Sequence, residues 1–216
     1  MHLVVRWMML SKLNHPTPRI ITHRIMNNKL LVIHPNDPST KFLETLYDYH
    51  TPFNSLVVDE TASNSKIRQV LTANALKDRN VMMLGHGYDG GLFAPQKNDF
   101  EVNPFYRKII NPSLVQFLRE RTCIGIWCYA NLFAERYGLH GLFSGMAISD
   151  LDEAHSYGIE EFTQKEIEMY NMDFAGALAY CMETFELDQV PSMMEAFVHS
   201  PNRLEKFNFG SLHYYP

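Results

Sequence analysis

Residues 80–91 read NVMMLGHGYDGG, and the fold turns on how the chain continues past their hydrophobic run. The aliphatic residues 81–84 predict a buried strand. Gly85, Gly87 and Gly90 then spell G-x-G-x-x-G, the turn that in dinucleotide-binding folds opens a helix and offers its amides to a pyrophosphate. Here the chain continues GLFAPQKNDF, where Gly91 and Pro95 oppose a helix. The phosphate reading lacks its helix, and what remains is a strand that ends in a histidine, His86, set between two glycines.

The same grammar extends in both directions. Strands are expected at 29–34 (KLLVIH), 55–59 (SLVVD), 80–86, 122–128 (TCIGIWC) and 140–149 (HGLFSGMAIS). Helix starts are expected at Asp37-Pro38-Ser39-Thr40, at Asn64 or Ser65, and at Asn111-Pro112-Ser113. Residues 88–111 read as a long irregular loop. Ile167, Tyr170, Phe174, Leu178 and Cys181 follow i, i+3, i+4 spacing, so a helix is expected near 160–184, with another near 189–198. Strands that alternate with helices predict an α/β fold, a three-layer αβα sandwich around a mainly parallel sheet of about five to six strands. One domain is expected over 26–216. Residues 1–25 hold Arg6, Lys12, Arg19 and Arg24 and no acidic residue, and read as an extension outside the fold or as a peripheral basic strand or helix.

Composition narrows the partners. A chain of 216 residues, 46% hydrophobic, can close a sizeable core. Its formal charge of -5 gives no basic footprint for nucleic acid or anionic membrane, and no run approaches the ~20 apolar residues of a membrane span. Cys123, Cys128 and Cys181 show no C-x-x-C spacing, so neither a disulfide scaffold nor a thiolate zinc site is expected, and a reducing cytoplasm is the simplest setting. Cys123 and Cys128 would fall on opposite faces of one strand and could not bridge.

The chemistry is expected at strand ends, because ligands in open parallel sheets collect outside the carboxyl ends of the strands. His86 ends one strand and Cys128 the next; if those strands are neighbours, the two side chains face one another across the rim. Reference pKa values of about 6.5 and 8.5 let a modest field reverse the order of imidazole and thiol, which makes a nucleophile and its general acid/base. Gly87 bares a backbone N–H that, with the N–H of Cys128, would form a two-donor hole for an oxyanion. Asp89 is near enough in sequence to orient His86, an exposed loop acid being the alternative. A serine-hydrolase elbow at Ser144 fails, since Leu142 and Met146 stand where G-x-S-x-G needs glycines. No third residue completes a zinc site with His86 and Cys128.

In these blocks the chain resembles the caspase-like cysteine peptidases, the broad group of caspases, gingipains, legumains, clostripain and separase. VMMLGHG looks like their strand ending in His-Gly, CIGIWC like the strand ending in the nucleophilic cysteine, and GLFSGMAISDLDEA like the small-residue strand that lines the specificity pocket. The resemblance covers about residues 29–154 by order and pattern. It implies a cysteine endopeptidase with no cofactor and a peptide or protein substrate, with Ser144 on the pocket strand and Asp150 just past it. Asp150 would present its carboxylate to a basic P1 side chain, with Asp37 and Asp59, also at strand ends, as other candidates; Ser149-Asp150-x-x-Glu153 equally reads as a helix cap. The departure is Trp127, where most members carry a small residue before the cysteine. It favours the rival expectation, an inactive caspase-like binding or regulatory protein.

Overall fold

The computed structural model describes residues 30–47, 55–58, 63–73, 78–96, 105–198 and 202–216. Residues 1–29 and Asp59 lie outside them, so the expected extension and one candidate acid receive no structural account. The chain forms an α/β three-layer sandwich. Its central sheet has six strands in the order β2-β1-β3-β7-β8-β9: β1 (Leu30–Pro35), β2 (Ser55–Val58), β3 (Asn80–Leu84), β7 (Thr122–Ile126), β8 (His140–Ser144) and β9 (Leu212–Tyr215). All pairings are parallel except that of β9 with β8.

Alternation along the strands sorts side chains onto the two faces. Leu31, Ile33, Val81, Met83 and Cys123 pack under α1 (Asn64–Thr72), a 3-10 helix (Pro112–Phe117) and α2 (Ala130–Tyr137). Leu30, Val32, Met82, Leu84, Ile124 and Ile126 pack under a 3-10 helix (Pro38–Leu46), α4 (Gln164–Thr184), α5 (Val190–Ala196) and α6 (Arg203–Phe209). α3 (Leu151–Ser156) leads from β8 into α4, whose start is closed by a Thr163–Glu166 capping box. Cys123 and Cys181 are wholly buried core residues, and all three cysteines are free.

Two expectations are corrected. Residues 88–111 are not simply irregular: β4 (Gly87–Tyr88), β5 (Gly91–Gln96) and β6 (Phe105–Lys108) form a small antiparallel sheet. The strands expected to run to His86, Cys128 and Ser149 end at Leu84, Ile126 and Ser144, whereas the helix expected near 160–184 is present as α4. Beyond these, residues 203–216 hold α6 and the antiparallel edge strand β9. No helix among the described residues is long and apolar enough to cross a membrane.

The strand order creates a crevice. From β1 the chain crosses to β2 on one side of it and then returns past it to β3, from which it continues the other way. The carboxyl ends of β1 and β3 therefore flank a topological switch point, the usual place for a ligand in such sheets.

Candidate functional site

His86 leaves the sheet at this rim. β3 and β7 are neighbours, Leu84 pairs with Ile126, and the Gly85 N–H continues the ladder to the Ile126 carbonyl at 3.1 Å. Two residues further, His86 and Cys128 lie just past the carboxyl ends of these two strands. Both are half-buried and line one small pocket, with Thr40 and Leu43 on one side, Ala147, Ile148 and Ser149 on another, and Asn171 and Phe174 of α4 behind.

Trp127 points the other way. Only 2% exposed, its ring lies in the cluster under α1 and α2, edge-on to Phe133 at 5.9 Å between centroids. Its indole N–H donates to the Tyr88 carbonyl at 3.1 Å. A Cβ on Gly87 would collide with the Trp127 Cδ1, and one on Gly125 would come within 2.7 Å of its Cζ3, so both glycines make room for this ring. The bond from the Phe93 N–H to the His86 carbonyl makes Gly87 and Leu92 a non-hydrogen-bonded pair, which directs the Gly87 amide away from β5.

An elbow comes directly after the thiol. Tyr129 has φ 63, the only positive value for a non-glycine among the described residues, and α2 begins immediately after it. Such a conformation costs on the order of 1–3 kcal/mol and must be held by its surroundings. Its N–H donates to the Gly145 carbonyl at 3.0 Å, and its hydroxyl shares a 2.5 Å hydrogen bond with that of Tyr157.

The pocket's far wall is pinned from distant segments. The Asn208 amide bonds both the N–H and the carbonyl of Ile148, at 2.8 and 2.9 Å, while the Asn171 Nδ2 donates to the Ser149 carbonyl at 3.0 Å. The Cys128 thiol donates to the Ala147 carbonyl at 3.5 Å. Burial pushes this thiol up to about 11, with Glu153 and Asp150 adding to the rise against backbone hydrogen bonding at Ala147 and Cys128 itself. The expectation that a modest field would favour the thiolate is thus corrected: in this closed pocket the field runs the other way.

The remaining candidates separate cleanly. Asp150 is a helix cap, its Oδ1 accepting from the Glu153 N–H at 2.8 Å, and Glu153 accepts in turn from the Ser149 N–H at 2.7 Å. The capping reading holds for that pair, and Asp150 does not line the pocket. Ser144 is corrected from a pocket residue to a bolt between strands: wholly buried, it donates to the Trp127 carbonyl at 2.8 Å and accepts from the Trp127 N–H at 3.0 Å. Asp89 is a loop acid paired with Arg136 at 2.7 Å. Asp37 is brought to His86, its Oδ2 lying 3.9 Å from Nε2, through a residue that the sequence had placed only at a helix start: the Ser39 Oγ is 2.7 Å from His86 Nε2 and 2.7 Å from Asp37 Oδ1. Nothing local marks Ser39, because it reaches His86 only when β1 lies beside β3.

Compared with family models, curated proteins and solved structures, the chain matches none of them.

Proposed function

We propose that the chain is a cysteine endopeptidase of the caspase-like kind, with Cys128 as nucleophile and His86 as general acid and base. The observation that carries this reading is that the two residues, each just past the end of one of two adjacent parallel strands, line one pocket beside a switch point. In the reaction, His86 takes the Sγ proton as sulfur attacks the peptide carbonyl. The carbon–sulfur bond forms, the oxyanion is received by the amides of Gly87 and Cys128, and the imidazolium returns its proton to the departing amine as the carbon–nitrogen bond breaks. Water, deprotonated by His86, then cleaves the thioester and restores the thiol. Because the thiol is neutral in the closed pocket, proton transfer accompanies attack, or comes after an opening that hydrates the sulfur. The charges of Glu153 and Asp150, which reach the Cys128 thiol from outside the lining, support a preference for a basic P1 side chain.

The rival reading is an inactive protein that binds a peptide or regulator on the same rim. A thiol pushed up to about 11 favours it, now that the ring of Trp127 is directed away from the sulfur. The two separate on a panel of fluorogenic peptides ending in Arg, Lys, Asp or Asn. Turnover that disappears in both Cys128→Ala and His86→Ala supports the peptidase, with Arg and Lys peptides cleaved fastest. Turnover that survives Cys128→Ala, or none across a broad peptide library, sinks it.

A further inference from the structure

We infer that Asp37 and Ser39 act as positioning residues for His86, fixing its proton on Nε2 so that Nδ1 is the basic nitrogen. The inference rests on the peptidase reading for its purpose but not for its geometry. Three atoms carry it. The Ser39 Oγ stands 2.7 Å from Asp37 Oδ1 and 2.7 Å from His86 Nε2, and Asp37 Oδ2 lies 3.9 Å from that same nitrogen.

The hydroxyl has a single hydrogen, and a carboxylate can only accept. An oxygen–oxygen contact of 2.7 Å without a proton would set a hydroxyl lone pair against an anion, so the Ser39 hydrogen lies on the bond to Asp37. The Ser39 oxygen is then left to accept, and the hydrogen between it and His86 belongs to Nε2. In a neutral imidazole this makes Nδ1 the unprotonated nitrogen. When His86 gains a proton, the carboxylate behind Ser39 faces the new charge, a role that a lone hydroxyl does not fill.

The arrangement also explains why Asp37 does more than cap. Its Oδ1 accepts the Ser39 N–H at 3.0 Å, closing the first turn of the 3-10 helix at Pro38–Leu46. That bond uses the backbone of residue 39 and survives in Ser39→Ala. Likewise Asp37→Asn keeps a good cap and an acceptor oxygen while it removes the charge. Both variants therefore test the relay without dismantling the turn.

The test is nitrogen-15 NMR of histidine-labelled protein at neutral pH, with His86→Gln identifying the His86 resonances among the ten histidines. The expected spectrum shows a protonated Nε2 and an unprotonated Nδ1, a tautomer mixture in Ser39→Ala, and restoration in Ser39→Thr. Where peptide turnover is measurable, Asp37→Asn lowers kcat about tenfold with KM little changed. A wild-type His86 protonated on Nδ1, or a spectrum untouched by Ser39→Ala, overturns the inference. So does fluorophosphonate labelling of Ser39 with turnover that persists in Cys128→Ala, since Ser39 would then be the nucleophile. The tautomer is read whether or not the protein cleaves peptides, so failure of this inference and failure of the peptidase reading give different results.

Discussion

Trp127 and Cys128 are adjacent in sequence and belong to opposite faces of the sheet, and that parity decides what each can do. The sequence marked Trp127 as an obstacle to the thiol because it shows size and not direction; the ring instead fills the space that Gly87 and Gly125 leave open. Gly87→Ala should therefore cost about 1–3 kcal/mol, as overpacking against a rigid ring does, and urea unfolding measures it. An unchanged midpoint would show that the ring has room to move. Cys128 presents a question of field. With burial, Glu153 and Asp150 holding the thiol up near 11, alkylation by iodoacetamide at pH 7 should be slower than that of a free thiol and should climb with pH toward that value. Glu153→Gln keeps an acceptor for the Ser149 N–H but removes the charge that, after burial, raises the thiol most, so its alkylation at pH 8 should run several-fold faster. Equal rates for the two proteins would remove Glu153 from the account of the thiol.

Among the elements, those written as hydrophobic runs were the legible ones. β1, β3, β7 and β8 are each buried by helices, and continuous Val, Ile, Leu and Met signal that burial without reference to partners. β4, β5 and β9 gave no such signal, because glycines, Pro95 and alternating aromatics suit an edge or hairpin strand as well as a loop. The 3-10 helix at Pro38–Leu46 was legible as a helix start but not in what fastens it. His34 of β1, 2% exposed, lies with Nδ1 2.9 Å from the Tyr47 hydroxyl and Nε2 3.3 Å from Thr40 Oγ1, tying the strand to both ends of that helix. Burial holds His34 down to about 4 against the upward pull of Thr40 and Asp37. The folded protein thus binds fewer protons here than the unfolded chain, whose histidine titrates near 6.5. This contribution is complete above about pH 6.5 and is lost as pH falls toward 4, a span worth about 3 kcal/mol. Unfolding free energies measured from pH 7 to 4 should fall along that slope, and His34→Gln should flatten it; a parallel slope in the variant would locate the pH dependence elsewhere.

At the scale of the whole molecule, the site depends on chain segments that no local motif connects. The shared pocket of His86 and Cys128 was legible because each follows its own hydrophobic run. Ser39, Asn171 and Asn208 were not, because their roles arise from strand order and from the return of the C-terminal segment beneath the pocket. Asn208 is the furthest of these, 60 residues from Ile148, whose two backbone groups it satisfies in a wholly buried position. Removing that amide leaves a buried N–H and a buried carbonyl without partners, at about 1–3 kcal/mol each when the chain does not relax. Relaxation is easiest where the chain is irregular, and Ile148 sits between β8 and α3 in the wall that shields the thiol. Asn208→Ala should therefore open this wall before it unfolds the sheet. The measurement is alkylation of each cysteine, read by mass spectrometry in the absence of denaturant. Cys128 should react at least several-fold faster than in the parent protein, while Cys123 and Cys181, buried in the two main clusters, stay protected. If all three accelerate together, the loss is global and Asn208 is a general core contact. If none does, the wall is held by other bonds, of which the Asn171 bond to Ser149 is the first to test.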